Sequence, residues 1–369
     1  MTPRARQIAT LRRQPTDRIS VDAICIENGA EIARHLGIAP EAVADRLGID
    51  GRIVGPGRYL GELPLDDRGQ PLSIWGTSAF DDYGTTHHYP LAAAETVAEV
   101  DSYRGWPDAT QVDYAEAARN AAALSRAYAT RGPYWLPLFC QVCELMGMEE
   151  AMVKMLARPA VFEAAVERVF QYVFDCCTRL LDACGDNLDI FYLGDDFATQ
   201  RGLMIPPAAW RQFLKPRYAR LFALARQRGK FVWFHSCGDI TAVVPDLIDI
   251  GMDVWETVQL HTLPMTPGGL KREYGKRLIF FGGINTQRLP FATPAEVRRE
   301  VLQVIDVLGE GGGYICGPDH HIKPDVPAIN AVTLFDTARD LSPQLSSLKS
   351  QDGSPRPRPR GRSAGRTRP

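Results

Sequence analysis

Two motifs in this 369-residue chain carry side chains that bind metal ions well. In the stretch Phe231-Val-Trp-Phe-His-Ser-Cys-Gly-Asp, an apolar run ends in His235 and Cys237. The run predicts a buried strand, and the Gly-Asp pair predicts a turn into a helix. Side chains two positions apart lie on the same side of a strand, so His235 and Cys237 should face one way at its carboxyl end. A second lone cysteine, Cys316, ends another apolar run. One imidazole and two thiolates, with one thiolate distant in sequence, are typical of a catalytic zinc site that keeps one coordination position open.

The alternative for these cysteines is ordinary packing. Free cysteine is among the most buried residue types and often has no other role. Composition and spacing alone therefore leave metal binding and packing about equally open. A Cys-x-x-Cys pair at Cys140 and Cys143 has no second pair to accompany it, so packing at a helix start is the preferred interpretation there.

Further polar residues follow the predicted strands and are candidates for catalysis or substrate binding. Asp195 and Asp196 end one strand, where they would either cap the next helix or serve the site; Asp195 is the preferred catalytic residue. His320 lies just after Cys316 and is a candidate for acid–base chemistry or substrate contact, with solvated surface as its alternative. The residues expected to line the rim and bind substrate are Asp196, Glu256, Gln259 and Asn285.

Strands and helices alternate in the pattern from residue 134 onward. Predicted strands occupy 134–139, 189–193, 231–235, 253–256, 278–282 and 312–316, with helical periodicity between them. This alternation predicts parallel strands joined by right-handed crossovers. Six strands, with one or two before residue 100, approach the eight of a closed barrel. The absence of a Gly-rich fingerprint after the first strand counts against a dinucleotide-binding open sheet. We therefore predict an α/β fold, a (β/α)8 TIM barrel.

Two regions depart from this regular pattern. Residues 50–95 are dense in Gly, Pro, Asp and aromatic residues, which predicts a long irregular insertion near the amino terminus; an Ala-rich helix is expected at 113–130. After Leu341, Ser, Pro, Gly and Arg dominate, a composition that cannot bury a core. The predicted organisation is a barrel domain at 1–341 and a disordered basic tail at 342–369.

Composition limits the classes of function. The chain is 45% hydrophobic and 23% charged, no apolar run is long enough to cross a membrane, and no signal peptide is recognised. Its eight cysteines lack the spacing of a disulfide framework, which favours reduced thiols and a cytoplasmic location. The basic tail lacks interleaved aromatic residues, so no nucleic-acid partner is expected. The oligomeric state is left open, a homodimer included.

Several motifs together resemble the uroporphyrinogen decarboxylase superfamily. The resemblance runs in order from about residue 190 to 340 and extends more loosely to Leu11–Arg18. The motifs that carry it are Gly194-Asp-Asp, Lys215-Pro, His235-Ser-Cys-Gly, Phe281-Gly-Gly-Ile, Gly311-Gly-Gly-Tyr and Pro318-Asp-His-His-Ile-Lys-Pro-Asp-Val-Pro. The superfamily fold is a (β/α)8 barrel, which agrees with the strand pattern.

The resemblance implies one of two activities. Porphyrinogen decarboxylases carry an early Arg-Gln-Ala-Gly-Arg segment that binds substrate carboxylates, and no such segment occurs here, although His320 matches a histidine of that branch. The zinc-dependent, corrinoid-linked methyltransferases carry His-x-Cys and a distant Cys, to which His235, Cys237 and Cys316 correspond. The resemblance therefore implies Zn²⁺, a corrinoid on a partner protein, and methyl transfer to or from a methoxylated compound (a demethylase) or a thiol. A metal-free decarboxylase of a porphyrinogen or small acid is the alternative.

Overall fold

The computed structural model describes residues 1–78 and 88–340, and its core is a barrel of parallel strands. Eight strands in these ranges form one sheet in the order β1-β10-β9-β8-β7-β4-β3-β2, and every neighbouring pair is parallel. Strands β5 and β6 form a separate antiparallel pair. The strands are β1 (Ser20–Val21), β2 (Gly51–Ile53), β3 (Ala129–Pro133), β4 (Ile190–Gly194), β5 (Ala198–Thr199), β6 (Gly202–Leu203), β7 (Phe231–His235), β8 (Val254–Val258), β9 (Ile279–Ile284) and β10 (Tyr314–Pro318). The predicted TIM-like α/β barrel is confirmed.

The barrel is nearly closed where its first two strands meet. The backbone N–H of Asp50 donates to the carbonyl of Val21 at 2.9 Å, and the carbonyl of Asp50 accepts from Ala129 at 3.1 Å. The Asp50 carboxylate, which is fully buried, accepts from Arg6 at 2.6 Å and from Arg18 at 2.9 Å. These contacts link β1, β2 and the amino-terminal helix at one end of the barrel.

Helices surround the barrel and connect its strands. A π-helical turn at Trp210–Leu214 joins the helix Pro207–Ala209 to the helix Lys215–Gln227. In the described part of the chain, no helix has the length and apolar character needed to cross a bilayer. The helices are α1 (Pro3–Leu11), α2 (Gly29–Leu36), α3 (Val43–Arg46), α4 (Val97–Ser102), α5 (Tyr114–Leu124), α6 (Phe139–Met146), α7 (Met148–Ala157), α8 (Pro159–Cys184), α9 (Pro207–Ala209), α10 (Lys215–Gln227), α11 (Val244–Asp249), α12 (Pro267–Tyr274), α13 (Pro294–Leu308) and α14 (Ala328–Asp340).

Alternation along each strand divides the core into an inner and an outer layer. In β7, Trp233 belongs to the cluster inside the barrel, whereas Val232 and Phe234 pack in the larger cluster between the strands and the helices. In β10, Ile315 lies inside and Cys316 outside. Residues of the same parity share a side, so His235 follows Trp233 to the interior side at the end of β7.

An ion pair lies inside the barrel. The guanidinium of Arg131, which is 1% exposed, pairs with the carboxylate of Asp22, and Gln7 of α1 donates to the same carboxylate at 2.5 Å. The guanidinium carbon also lies 5.1 Å from the centroid of the Trp233 ring. A buried charge needs such partners, since an unpaired one costs several kcal/mol.

Two details of the strand prediction are wrong. The strand predicted at 134–139 instead lies earlier in the chain, at Ala129–Pro133 (β3), and α6 begins at Phe139. The helix predicted at 113–130 is shorter than expected and ends at Leu124. The predicted irregular region at 50–95 contains a barrel strand, β2, of three residues. Its remaining described residues, 54–78 and 88–95, form turns and isolated bridges but no regular helix or strand. The predicted disordered tail at 342–369 lies outside the described residues.

Candidate metal centre

His235 and Cys237 lie together at the carboxyl end of β7. His235 is the last residue of the strand, and its Nε2 is 3.6 Å from the Sγ of Cys237. Trp135 packs its ring edge against the imidazole, with ring centroids 5.7 Å apart. Gly194, at the end of the neighbouring β4, is required here, because a Cβ would lie 2.8 Å from the Trp135 ring and 3.2 Å from the Cβ of His235.

His320 completes a group of three potential metal ligands. It lies on the loop after β10, and its ring centroid is 6.1 Å from that of His235. One ligand atom from each of His235, Cys237 and His320 lies within 4.8 Å of the other two. The carboxyl ends of parallel strands converge at one face of a barrel, which explains how residues distant in sequence meet here.

Glu256 lies beneath His235 and fixes its orientation. The Nδ1 of His235 is 2.9 Å from Oε1 of this fully buried carboxylate, which also accepts hydrogen bonds from the hydroxyl of Tyr192 at 2.5 Å and from the indole of Trp233. The carboxylate makes Nδ1 the protonated nitrogen and leaves Nε2, the atom near Cys237, as a potential ligand. Carboxylate–histidine pairs of this kind orient metal-binding imidazoles in many proteins.

The electrostatics of the group agree with this arrangement. Burial lowers the pKa of His235, but the charge and hydrogen bonds of Cys237 and Glu256 outweigh burial and hold that pKa well above its ordinary value. Burial raises the pKa of the Cys237 thiol, and His235 opposes that rise. Burial and the neighbouring charge of His235 lower the pKa of His320 to about 4, so this imidazole is neutral near pH 7. A cation bound between the three side chains would take the place of the proton that His235 and Cys237 otherwise share.

The structure does not bring Cys316 to this group. Cys316 is fully buried in the outer layer of the core, on the same side of β10 as Tyr314, and burial raises the pKa of its thiol to about 12. Its neighbour Ile315 occupies the interior position. The structure therefore corrects the predicted grouping: His320, not Cys316, lies beside His235 and Cys237. Both sides of a barrel strand are apolar. Hydrophobicity alone therefore does not reveal whether the odd-numbered or the even-numbered residues of the strand face the interior of the barrel.

The two adjacent acids after β4 have different surroundings. The carboxylate of Asp195 is fully buried and accepts hydrogen bonds from the backbone N–H groups of Leu138, Phe139 and Cys140 at 2.7–3.1 Å, and from the Tyr218 hydroxyl at 2.6 Å. Its oxygens are occupied in holding the start of α6, and the catalytic role predicted for it stays a prediction.

Asp196 is the acid that lies beside the candidate ligands. Its Oδ1 accepts from the backbone N–H of Cys237 at 2.7 Å and lies 3.7 Å from Nε2 of His235. Asp196 thus fixes the loop that carries Cys237. The prediction that Asp196 binds substrate remains a prediction, at a position where contact with a small molecule in the centre is feasible.

The other predicted rim residues mainly organise loops. Gln259 accepts a hydrogen bond from the backbone N–H of Gly238 at 2.9 Å, and the side chain of Asn285 accepts one from Gln287 at 2.9 Å. Glu256, predicted at the rim, instead lies beneath His235 with no exposed surface. The strand was predicted to end at Glu256, but it continues to Val258, so the carboxylate lies within the strand rather than at the rim.

Several neighbouring residues were not anticipated from the sequence. Arg131 lies between the helix predicted at 113–130 and the strand predicted at 134–139, so the sequence gave no signal of its place inside the barrel. His261 follows β8 in a loop and faces the buried Asp319 at 3.5 Å. His321 and Lys323 both contact Glu27, at 2.9 and 2.8 Å, across the seam between the loops after β1 and β10.

Comparisons with known proteins agree with this architecture. A family model described as uroporphyrinogen decarboxylase matches residues 137–341, which is more than half of the chain. Among curated proteins, the uroporphyrinogen decarboxylase of Edwardsiella ictaluri (strain 93-146) is 35% identical over 72 residues, and that of Nitrosospira multiformis is 28% identical over 123 residues. These matches cover 20% and 33% of this chain, and the chain spans only 20% and 30% of the two relatives' lengths.

A solved structure supports the fold over nearly the whole chain. A methyltransferase from Methanosarcina mazei superposes with a TM-score of 0.63 at 17% sequence identity, covering 92% of this chain and 98% of that one. At this identity the likeness shows a shared fold. With the family model matching more than half of its residues, the chain belongs to the uroporphyrinogen decarboxylase family.

Proposed function

We propose that the protein is a zinc-dependent methyltransferase that moves a methyl group between a small methylated substrate, a methoxylated compound or a thiol, and a corrinoid carried by a partner protein. The observation that carries this proposal is the convergence of His235, Cys237 and His320, with the second ring nitrogen of His235 held by Glu256. Two imidazoles and a thiolate form a donor set that suits zinc, and three protein ligands leave a fourth position for a substrate. The methyltransferase from Methanosarcina mazei, which shares the fold, is consistent with this class of reaction.

The chain's own residues have distinct tasks in this reaction. When bound, zinc would supply a Lewis acid for a thiol or an ether oxygen. Glu256 holds Nδ1 of His235 and so aims Nε2 towards Cys237, and Asp196 holds the backbone of Cys237. Trp135 packs against the imidazole of His235 in a T-shaped arrangement and limits the space available to that ring.

Decarboxylation of a porphyrinogen or small acid without a metal is the second candidate, because the curated relatives carry that name. A porphyrinogen has several carboxylates, and binding them requires cationic side chains. Two cations near this end of the barrel are already paired, Arg131 with Asp22 and Lys323 with Glu27. This pairing, and the missing arginine segment, favour methyl transfer.

Metal analysis and two activity assays test the proposal. The purified protein should contain about one zinc per chain. Under anaerobic conditions, with a reduced corrinoid and a panel of methoxylated compounds and methyl thioethers, the cobalamin absorbance should change as the cobalt is methylated. His235→Ala should lose both the zinc and this change, whereas His35→Ala, on the exposed face of α2, should retain both.

The same samples should be assayed with uroporphyrinogen. The proposal predicts no decarboxylation by the wild-type protein. Robust porphyrinogen turnover that survives in His235→Ala would overturn the zinc mechanism and favour the second candidate.

A further inference from the structure

A histidine and a buried aspartate form a pair in the loops that follow β8 and β10. His261 lies on the loop that follows β8, and Asp319 follows β10 directly, one residue before His320. The Nδ1 of His261 is 3.5 Å from Oδ2 of Asp319. The pair therefore lies on the barrel face that carries His235, Cys237 and His320.

Asp319 is rigidly held, and only one of its oxygens is used in holding it. Its Oδ1 accepts hydrogen bonds from the backbone N–H of Thr286 at 3.0 Å and from the Thr286 hydroxyl at 2.7 Å, and its own N–H donates to the carbonyl of Ile284. The side chain is 1% exposed. Its second oxygen, Oδ2, is buried and makes no hydrogen bond within residues 1–78 and 88–340. The imidazole of His261 is the polar group that faces it.

His261 is well placed to serve a substrate. The imidazole is 29% exposed, so it lies between the buried carboxylate and the solvent at the barrel mouth. In the described parts of the chain, Asp319 is its one ion-pair partner, and neither ring nitrogen makes a hydrogen bond. A buried carboxylate that faces Nδ1 selects the tautomer with the proton on that nitrogen, which leaves Nε2 available for proton transfer.

We propose that His261 is the proton donor to the leaving oxygen of a methyl ether substrate, and that Asp319 is its positioning residue. The inference rests on the proposed methyltransferase function and names its substrate class. In the step, the bond between the methyl carbon and the ether oxygen breaks, and the oxygen keeps the electron pair. The reduced corrinoid supplies the electron pair for the new bond to the methyl carbon. Nε2 of His261 first takes up a proton from the solvent at the barrel mouth, which makes the imidazole doubly protonated. It then gives this proton to the oxygen, which leaves as an alcohol or phenol, and the imidazole returns to its neutral form.

The need for a proton distinguishes ethers from thiols in this scheme. An alkoxide is a poor leaving group, so its departure is accelerated when a proton arrives in the same step, and general acids of this kind contribute about 10²–10⁴-fold. A thiolate is stable without a proton and gains little from a donor. The presence of a carboxylate-supported imidazole therefore favours ethers as the methyl donors.

Leaving-group dependence is the test that a structural role would not reproduce. For an alkyl methyl ether, whose alcohol is a weak acid, His261→Ala should lower the rate of corrinoid methylation by roughly 100-fold or more. For a nitrophenyl methyl ether, whose phenolate leaves readily, the same variant should lose less than about 5-fold. Added imidazole should restore part of the alkyl ether rate in His261→Ala. Asp319→Asn should show the same dependence in a weaker form, and His35→Ala should behave like the wild-type protein.

Zinc content and melting temperature of each variant separate this role from damage to the centre. Both should match the wild-type values in His261→Ala and in Asp319→Asn. Equal losses for both ethers, no rescue by imidazole, or loss of zinc in His261→Ala would overturn the inference while leaving the proposed function in place. A wild-type protein that methylates no corrinoid from any donor would overturn the proposed function, and the proton-donor role with it.

Discussion

His235 is defined by what surrounds its two ring nitrogens. One nitrogen faces a carboxylate that is itself held by Tyr192 and Trp233, and the other faces a thiol. Since Glu256 is fully buried, its negative charge requires a permanent counterpart, either a protonated His235 or a metal ion bound through it. Hydrogen bonding by His235 and the positive charge of Arg131 hold the pKa of Glu256 below its ordinary value, although burial opposes them. The centre is thus electrostatically prepared for a cation.

The two cysteines that the sequence suggested as ligands should respond differently to substitution. Cys237→Ala should lose most of the bound zinc, because its Sγ is among the converging atoms. Cys316→Ala should retain the zinc, because this side chain faces the outer layer, and should instead lose about 1–2 kcal/mol of stability through a small cavity. Zinc analysis and urea unfolding of both variants check this. A Cys316→Ala protein without zinc would restore Cys316 to the centre.

Much of the centre was predictable from residue types, and the remainder depended on side-chain direction. His235 and Cys237 were recognised because two chemically informative residues follow one apolar strand at a spacing of two. His320 was recognised as functional but not as a ligand. Cys316 and Asp195 illustrate the limit: each has suitable chemistry and lies at a strand end, yet one faces the helices and the other holds the start of α6. No local sequence pattern predicts the direction in which these two side chains point.

At the scale of elements, α6 connects the centre to the outer layer of the barrel. Its first backbone N–H groups are bound by Asp195, which follows β4, so β4 and α6 form one unit. Glu144, in the same helix, is half-buried and accepts a hydrogen bond from Gln141 at 3.0 Å. Burial raises the pKa of Glu144 from 4.5 to about 7.

The raised pKa of Glu144 predicts a pH-dependent stability. Between about pH 4.5 and pH 7 the folded protein retains a proton that the unfolded chain has lost, so this group reduces stability as the pH rises through that window. Glu144→Gln should therefore stabilise the protein by about 1–3 kcal/mol at pH 8 and have little effect at pH 4. Urea unfolding at both pH values measures this, with Glu310→Gln, an exposed carboxylate after α13, as the control. Equal effects at pH 4 and pH 8 would contradict the prediction.

The two strands that were not correctly predicted from the sequence, β3 and β2, have few apolar side chains. Strand β3 contains Thr130, Arg131 and Gly132, and this composition does not resemble a buried strand because the interior position is an ion pair rather than an apolar side chain. Strand β2 has three residues and a single aliphatic side chain, Ile53. The other barrel strands from β4 onward were recognised within a few residues, since their apolar runs are long and are separated by clear helical periodicity.

At the scale of the whole molecule, the eight strands of the nearly closed barrel all precede residue 341. The seam between β1 and β2 is secured by Asp50 with Arg6 and Arg18, and α14 ends at Asp340. The sheet, the surrounding helices and the candidate centre all lie within residues 1–78 and 88–340.

Removal of the basic tail should accordingly leave the barrel intact. Truncation after Leu341 should change the melting temperature by less than about 2 °C, because a Ser, Pro, Gly and Arg-rich segment has little apolar surface to bury. Zinc content and methyl transfer should also be unchanged. Calorimetry of the truncated and full-length proteins provides the comparison, and a large drop in melting temperature would show that the tail docks on the barrel.

The position of Trp135 gives the molecule an optical property. Its indole lies at 87° to the imidazole of His235, with 5.7 Å between the ring centroids. Indole emission is sensitive to the charge and polarity of groups at such distances. A divalent ion that enters the centre replaces a proton on the neighbouring residues with a more concentrated positive charge. The fluorescence of Trp135 should therefore change when a metal ion enters or leaves the centre, so that metal exchange can be followed in real time without a dye or a corrinoid.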